Sequence, residues 1–327
     1  MDKFIWPAGS LNVRMTNDVL FKHLLQRSDA VLQEMICSLL HMERYQIKST
    51  IVTNPILQGQ AIDDQTVILD VNVLMNDASR IDFEMQVIDY KDWIERSIIY
   101  TARNFDDLKI GNKTYLNTKP SVHFGFLSFS PFNDHQKFYS LNKIMDVEDH
   151  HLYTDKFVVG YVDITRIDLA TDIDRKYNVD KWARFFSAKT WEDIKMLAAR
   201  YPIIEEAATH LAKISEDEYI RLQMQAREDQ LIRQRELVDM LDEAESRANE
   251  AEFRANEAES NNIIRIIKKL RKNKSSEQIA DELEESDNIS GISEIVGLIR
   301  EVSPDLDMDE DELAQAVLEK LNNKSQK

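Results

Sequence analysis

Two neighbouring stretches carry acidic and amide side chains at alternate positions. Residues 80–88 read RIDFEMQVI and residues 66–75 read TVILDVNVLM. Alternate residues of a β-strand share a face, so Asp82, Glu84 and Gln86 fall on one side of the first stretch, with Ile81, Phe83, Met85 and Val87 on the other. In the second, Val67, Leu69, Val71 and Val73 form an apolar side and leave Asp70 and Asn72 opposite. The intervening NDAS is turn chemistry, and a turn centred near residue 77 sets Asp70 across from Glu84 and Asn72 across from Asp82. Carboxylates a cross-strand distance of about 5 Å apart repel unless solvent, a proton or a cation intervenes. A hard divalent ion, Mg²⁺ or Mn²⁺, resolves that conflict, and such an ion polarises a phosphodiester and acidifies an attacking water. The same alternation also describes a half-exposed hairpin whose outer face is merely solvated.

Other chemistry is sparse. His123, His135, His150 and His151 lack metal-ligand spacing with one another, and a histidine pair in a loop is expected to be solvated rather than coordinating. The seven glycines are scattered, and none directly precedes a Lys-Ser or Lys-Thr pair as a phosphate loop requires. Cys37, the single cysteine, sits in the apolar run VLQEMICSLL and is expected in a core, with no disulfide framework supporting the fold. The N-terminus has no basic stretch leading into a long apolar one, and no later segment reaches the apolar length needed to cross a bilayer. The expectation is therefore a cytoplasmic protein that does not enter membranes.

The elements that would position the acidic residues follow from hydrophobic spacing. Thr16 or Asn17 can cap a helix whose apolar positions are Leu20, Phe21, Leu24 and Leu25, and DAVLQEMICSLLHM reads as a second helix. The hairpin comes next, then a helix in DWIERSIIYTARNFDDLKIG and strands in SVHFGFLSFSPF, KFYSLN and KFVVGYVDI. This order specifies an α/β core with a mixed sheet flanked by helices. On the helices, Asp18 and Lys22 are four apart on one face, while Arg96, Tyr100 and Arg103 form a stripe that could meet phosphates or simply pack and pair locally.

From about Asp180 onward only helical patterns remain. Within them RANEAEF is followed by RANEAES, and Leu237, Leu241, Ala244, Ala248, Ala251, Ala255 and Ala258 are spaced by alternating fours and threes. That spacing is a heptad seam, thin because alanine buries little area, and a solvated single helix is its alternative. We divide the 327 residues into a core at 1–180, a helical extension at 181–225, a heptad-repeat helix at 226–262 and a small acidic helical bundle at 263–327. In the last of these, Ser275 and Gln278 are placed to form a capping box. Of the formal charge of -18, residues 191–327 carry -14 (19 Lys+Arg against 33 Asp+Glu) and residues 1–190 only -4. The acidity is thus a property of the tail, and the core retains the option of a local basic groove.

These residues carry a resemblance. An acidic residue on one strand, a tight turn and then Glu-x-Lys or a variant on the next strand is similar to the signature of the PD-(D/E)xK nuclease superfamily, whose fold is restriction-endonuclease-like. The chain most resembles the Rpn family of recombination-promoting nucleases and transposases. The matching residues are Asn17, Asp18, Phe21 and Lys22, the strand Ile68 to Val71, the strand Phe83 to Gln86, and Arg96 with Tyr100. In motif order the likeness spans roughly residues 14 to 165. It implies metal ligation by Asp70 and Glu84 with the Met85 carbonyl, catalytic roles for Asp70, Glu84, Gln86 and Lys22, and accessory roles for Asp18, Asp82, Arg96 and Tyr100. Gln86 stands where the superfamily has lysine. A glutamine cannot carry positive charge or act as a base, so it would orient water or phosphate through hydrogen bonds, with Lys22 supplying the charge. The resemblance further implies a Mg²⁺- or Mn²⁺-dependent DNA endonuclease linked to recombination or mobile elements. A homodimer through the helical tail and a protein partner for the acidic C-terminus complete the expectation. The alternative is a catalytically silent nuclease fold that binds or assembles through its tail, and an RNA substrate is not excluded by metal-assisted hydrolysis.

Overall fold

The computed structural model describes residues 5–53, 71–106 and 118–325. It opens with α1 (Asp18–Arg27) and α2 (Asp29–Leu40), followed by β1 (Thr50–Val52), β2 (Val71–Met75), β3 (Arg80–Gln86) and α3 (Trp93–Asp106). Next come β4 (Ser121–Leu127), β5 (Tyr139–Met145) and β6 (Leu152–Asp163). The remainder is helical: α4 (Asp172–Lys176), α5 (Val179–Phe186), α6 (Trp191–Arg200), α7 (Pro202–Glu216), α8 (Glu218–Leu270), α9 (Ser276–Glu282), α10 (Ile289–Val302) and α11 (Glu310–Ser325). The sequence-based α/β reading holds, with a six-stranded mixed sheet ordered β1-β2-β3-β4-β6-β5. β1–β2, β2–β3 and β5–β6 are antiparallel, whereas β3–β4 and β4–β6 are parallel.

The expected hairpin forms in the expected register. Val71 pairs with Phe83 and Asn72 with Asp82, and the bend is held by Asp77, whose carboxylate accepts from the Ser79 amide at 3.0 Å. Asp70, together with Ile68 and Leu69, lies outside the described residues. The turn places Ala78 at φ 69°, a left-handed position at which a side chain costs about 1–2 kcal/mol. Backbone hydrogen bonds close the turn, from the Ala78 amide to the Met75 carbonyl and from the Met75 amide to the Ser79 carbonyl, both at 2.9 Å.

One face of the sheet is aromatic. Phe83 and Phe124 are fully buried, and Phe21 of α1 packs edge-on against Phe126 and Phe186 at centroid distances of 5.8 and 5.4 Å. The same core includes Trp182, Phe185, Leu211, Ile214 and Met224, so it runs on through α5, α6, α7 and the start of α8. The indole N–H of Trp182 donates to Ser38 Oγ at 3.1 Å, which satisfies its polar edge inside the core. Cys37 is buried, as its apolar neighbours require.

The Asn17–Asp18 pair ties the start of α8 to α1. Asn17 caps α1 by accepting from the amides of Val19 and Leu20, while its own Nδ2 donates to the Met224 carbonyl at 3.1 Å. Asp18 is gripped by the Arg227 guanidinium, with Nε and Nη2 at 2.8 and 2.7 Å from Oδ2. Burial pushes the Asp18 pKa up and Arg227 pulls against it.

The chain divides into two compact units, Met1–Glu236 and Leu237–Lys327. In the second, the end of α8 joins α9, α10 and α11 around Ile263, Ile267, Ile279, Ile292, Ile299 and Val317. Ser275 and Gln278 form the expected capping box at α9. Among the described residues, no helix is long and apolar enough to cross a membrane.

Replacing Arg227 by Ala should cost about 3–5 kcal/mol of stability, because it strands a buried carboxylate. Asp18→Asn combined with Arg227→Met should recover part of the loss. Urea unfolding of the two variants beside the unmutated chain gives the comparison.

Candidate functional site

The second face of the sheet is where the alternating polar residues point. Asp82, Glu84 and Gln86 are all buried, at 3%, 8% and 5% exposure. The hairpin's polar side is therefore not a solvated outer surface. Parallel pairing sets Asp82 beside His123, Glu84 beside Gly125 and Gln86 beside Leu127, and α3 covers this strip. The absence of a side chain at Gly125 admits the Trp93 ring next to Glu84, since a Cβ there would come within 2.1 Å of the indole. Farther along α3, Ser97 and Thr101 turn their hydroxyls back onto helix carbonyls, and Ser121 Oγ donates to the Thr101 carbonyl at 2.9 Å. Small hydroxyl residues allow α3 to lie close to the strands.

Two cationic side chains reconcile the carboxylates. His123, with no exposed surface, donates from Nδ1 to Asp82 at 2.8 Å, and its Nε2 lies 3.6 Å from Glu84 Oε2, an ion-pair rather than a hydrogen-bond distance. Burial lowers a histidine pKa, but Asp82 and Glu84 overcome it and push His123 up to about 9, so the ring is an imidazolium at neutral pH. Trp93 and Tyr100 enclose it, with ring centroids 5.2 and 5.4 Å away. From α3, the Arg96 guanidinium donates to both Glu84 Oε1 and Gln86 Oε1. Burial alone would raise the Glu84 pKa, yet His123 and Arg96 outweigh it and hold the group below its usual range. Gln86 is fixed further by Nε2 donating to the Ile88 carbonyl at 2.9 Å.

The site therefore brings together Asp82, Glu84, Gln86, Arg96 and Tyr100 from the sequence-predicted set, and adds His123, which spacing did not single out. Asp18 lies against Arg227 instead, and Lys22 is buried on α1. Met85 turns its side chain into the aromatic core. Among the described residues, no three His, Cys, Asp or Glu side chains converge as a metal cage, and Asp70 is not one of those residues. The chemistry of the cluster nonetheless suits a hard cation. Glu84 Oε2 and Asp82 Oδ1 are buried without a hydrogen-bond partner, which is the unsatisfied oxygen character that Mg²⁺ or Mn²⁺ accepts.

A concave surface adjoins the carboxyl ends of these strands. The Ser128 amide, just past β4, donates to the Gln86 carbonyl at 3.0 Å. Ser128 lines a cavity of about 980 Å³ together with Arg14, Thr16, Thr165, Lys189 and Arg221. A smaller cavity of about 180 Å³ is shared by Ser128, Val87 and Arg235. Glu228, 3.3 Å from Arg14, is the single acid among the described lining residues of both. An acidic chain thus presents a locally basic surface beside Gln86.

A family model described as PD-(D/E)XK nuclease family transposase matches residues 15–244, and the chain belongs to that family, which includes Rpn-like transposases. Comparison with curated proteins and with solved structures returns no match in either case.

His123→Ala should cost about 3–5 kcal/mol, because it leaves Asp82 and Glu84 as buried charges with one cation fewer. Adding Asp82→Asn should return a measurable part of that loss. The two chemical-denaturation midpoints test the pairing directly.

Proposed function

We propose that the protein is a divalent-metal-dependent endonuclease acting on DNA, in the service of recombination or a mobile element. The observation that carries this reading is the buried Glu84 carboxylate, with one oxygen held by Arg96 and the other making no hydrogen bond, 3.6 Å from the His123 ring, on a central strand whose carboxyl end adjoins a basic cavity at Ser128. Its family is one of nucleases linked to transposition. Glu84 and Asp70 would hold the metal, with the Met85 carbonyl as a third oxygen. When bound, Mg²⁺ or Mn²⁺ supplies charge neutralisation at the scissile phosphate and lowers the pKa of a coordinated water.

The chain's own groups do the rest. Gln86, neutral and doubly anchored, orients water or a phosphate oxygen through its amide. Arg96 is the outermost member of the cluster, with a quarter of its side chain exposed, and its guanidinium is placed to meet a phosphate. Lys22 supplies positive charge that Gln86 cannot. His123 keeps Asp82 and Glu84 in place against their mutual repulsion, while Trp93 and Tyr100 exclude water from its ring. Arg14, Lys189, Arg221 and Arg235 would follow the nucleic-acid backbone, with affinity falling steeply as salt rises. Two protomers would pair through the helical tail, and the acidic C-terminal bundle would meet a protein partner.

A second reading has specific support in Gln86 at the lysine position and in Arg96 occupying Glu84. It is a fold that binds DNA or assembles without cutting.

Purified protein incubated with supercoiled plasmid should nick or linearise it with Mg²⁺ or Mn²⁺. Glu84→Gln and Asp70→Asn should each lower the rate at least about 100-fold, with circular dichroism and DNA binding retained. Cleavage unchanged in both variants would refute the site, and binding without metal-stimulated cleavage by the unmutated chain would favour the silent fold.

A further inference from the structure

Among the described residues, none packs over the central stretch of α8, from Leu237 to Ala258. Leu237, Met240 and Leu241 are 60%, 63% and 69% exposed, and none of the described residues covers the seam formed with Ala244, Ala248, Ala251, Ala255 and Ala258. Seven d and a positions spanning three heptads correspond to about 33 Å of helix at 1.5 Å per residue. With Leu237 at d and Leu241 at a, the flanking positions sort by charge. The e positions after the first are Glu245, Glu252 and Glu259, and the g positions include Arg247 and Arg254.

That sorting decides which partner fits. In a parallel two-stranded coiled coil, each g side chain meets the e side chain five residues later on the other helix. Arg247 then faces Glu252 of a second copy and Arg254 faces its Glu259, twice over by symmetry. In an antiparallel pair, g meets g and e meets e, which sets arginine against arginine and glutamate against glutamate. Like charges across a seam are unfavourable. In the single chain, Arg254 reaches Glu250 at 2.5 Å and Arg247 Nε donates to the Glu243 carbonyl at 3.2 Å. Both contacts run back along the same helix and leave Glu252 and Glu259 for a partner.

We infer that residues 237–258 of α8 pair with the same residues of a second copy of this chain, in parallel and in register, through e–g charge complementarity. This deepens the pairing through the tail proposed above and stands apart from the hydrolytic reading, since it is measured without metal or DNA. The apolar seam is thin, so association is weak to moderate and the charges select orientation more than they supply affinity.

Sedimentation of the full chain should show concentration-dependent dimers. Arg247→Glu with Arg254→Glu places glutamate against glutamate and should weaken self-association about tenfold or more. Adding Glu252→Arg and Glu259→Arg to that variant restores complementary pairs and should restore its dimer. This fourfold variant should not form mixed dimers with the unmutated chain in the parallel arrangement, whereas the antiparallel arrangement predicts that mixed dimers form. Ala258→Cys in a Cys37→Ala background should give an interchain disulfide under diamide when the helices run parallel. Monomers at all concentrations, mixed dimers with the fourfold variant, or no disulfide from a dimer at Ala258→Cys would each overturn the inference. Failure of plasmid cleavage alone leaves these readouts unchanged.

Discussion

Two carboxylates on one buried strip of β3 are the constraint around which this core is arranged. Asp82 and Glu84 share a face, have less than a tenth of their surface exposed and would repel each other in a low-dielectric interior. His123 supplies an imidazolium to both, and Arg96 adds a guanidinium to Glu84. Each cation needs its own support, provided by the Trp93 and Tyr100 rings around His123 and by Gln86 beneath Arg96. Removing any one partner leaves a buried charge with too little compensation, which is why the cluster behaves as one unit. Glu84 Oε2 and Asp82 Oδ1 make no hydrogen bond, and that is what supports the proposal that the cluster also takes a cation.

The fold serves that strip. The aromatic face of the same strands, with Phe83, Phe124 and Phe126 against Phe21 and Phe186, fixes β3 and β4 rigidly in the centre of the sheet. Parallel pairing of β3, β4 and β6 aligns their carboxyl ends, and ligands of α/β sheets commonly collect at such ends. The Ser128–Gln86 bond and the cavity lined by Arg14, Lys189 and Arg221 lie there. The contacts of Asn17 and Asp18 with α8 show how an N-terminal motif acts structurally. They dock the start of α8, more than two hundred residues later in the sequence, rather than contribute to the polar strip.

Much of this was legible in the residues because local periodicity encodes it. The hairpin register, the separation of Asp82, Glu84 and Gln86 from Phe83 and Met85, the cap at Asn17 and the capping box at Ser275 all depend on neighbours within a few positions. What was not legible depends on distant pairing. His123 looked like a histidine with no ligand spacing, and only the β3–β4 register sets it beside Asp82. The one available signal was the alternation of Ser121, His123 and Gly125 on one face of β4. The Arg96 stripe read either as a phosphate contact or as a group that packs and pairs locally, and the approach of α3 to the sheet, which pairs Arg96 with Glu84, is what periodicity could not supply. Asp18 read as a neighbour of Lys22, and Arg227, more than two hundred residues away, takes its carboxylate. Burial, too, does not follow from alternation alone, which is why a solvated outer face remained open until α3 was seen to cover it.

The central claim is that the Glu84 carboxylate takes a hard divalent cation. The most direct measurement is a crystal of the protein soaked in Mn²⁺ and recorded at an anomalous wavelength. The account predicts an anomalous peak about 2.0–2.3 Å from a Glu84 oxygen, lost in Glu84→Gln crystals. A structure in which Arg96 and His123 keep Glu84 fully engaged, with Mn²⁺ absent from this strip while plasmid is still cut, would contradict it.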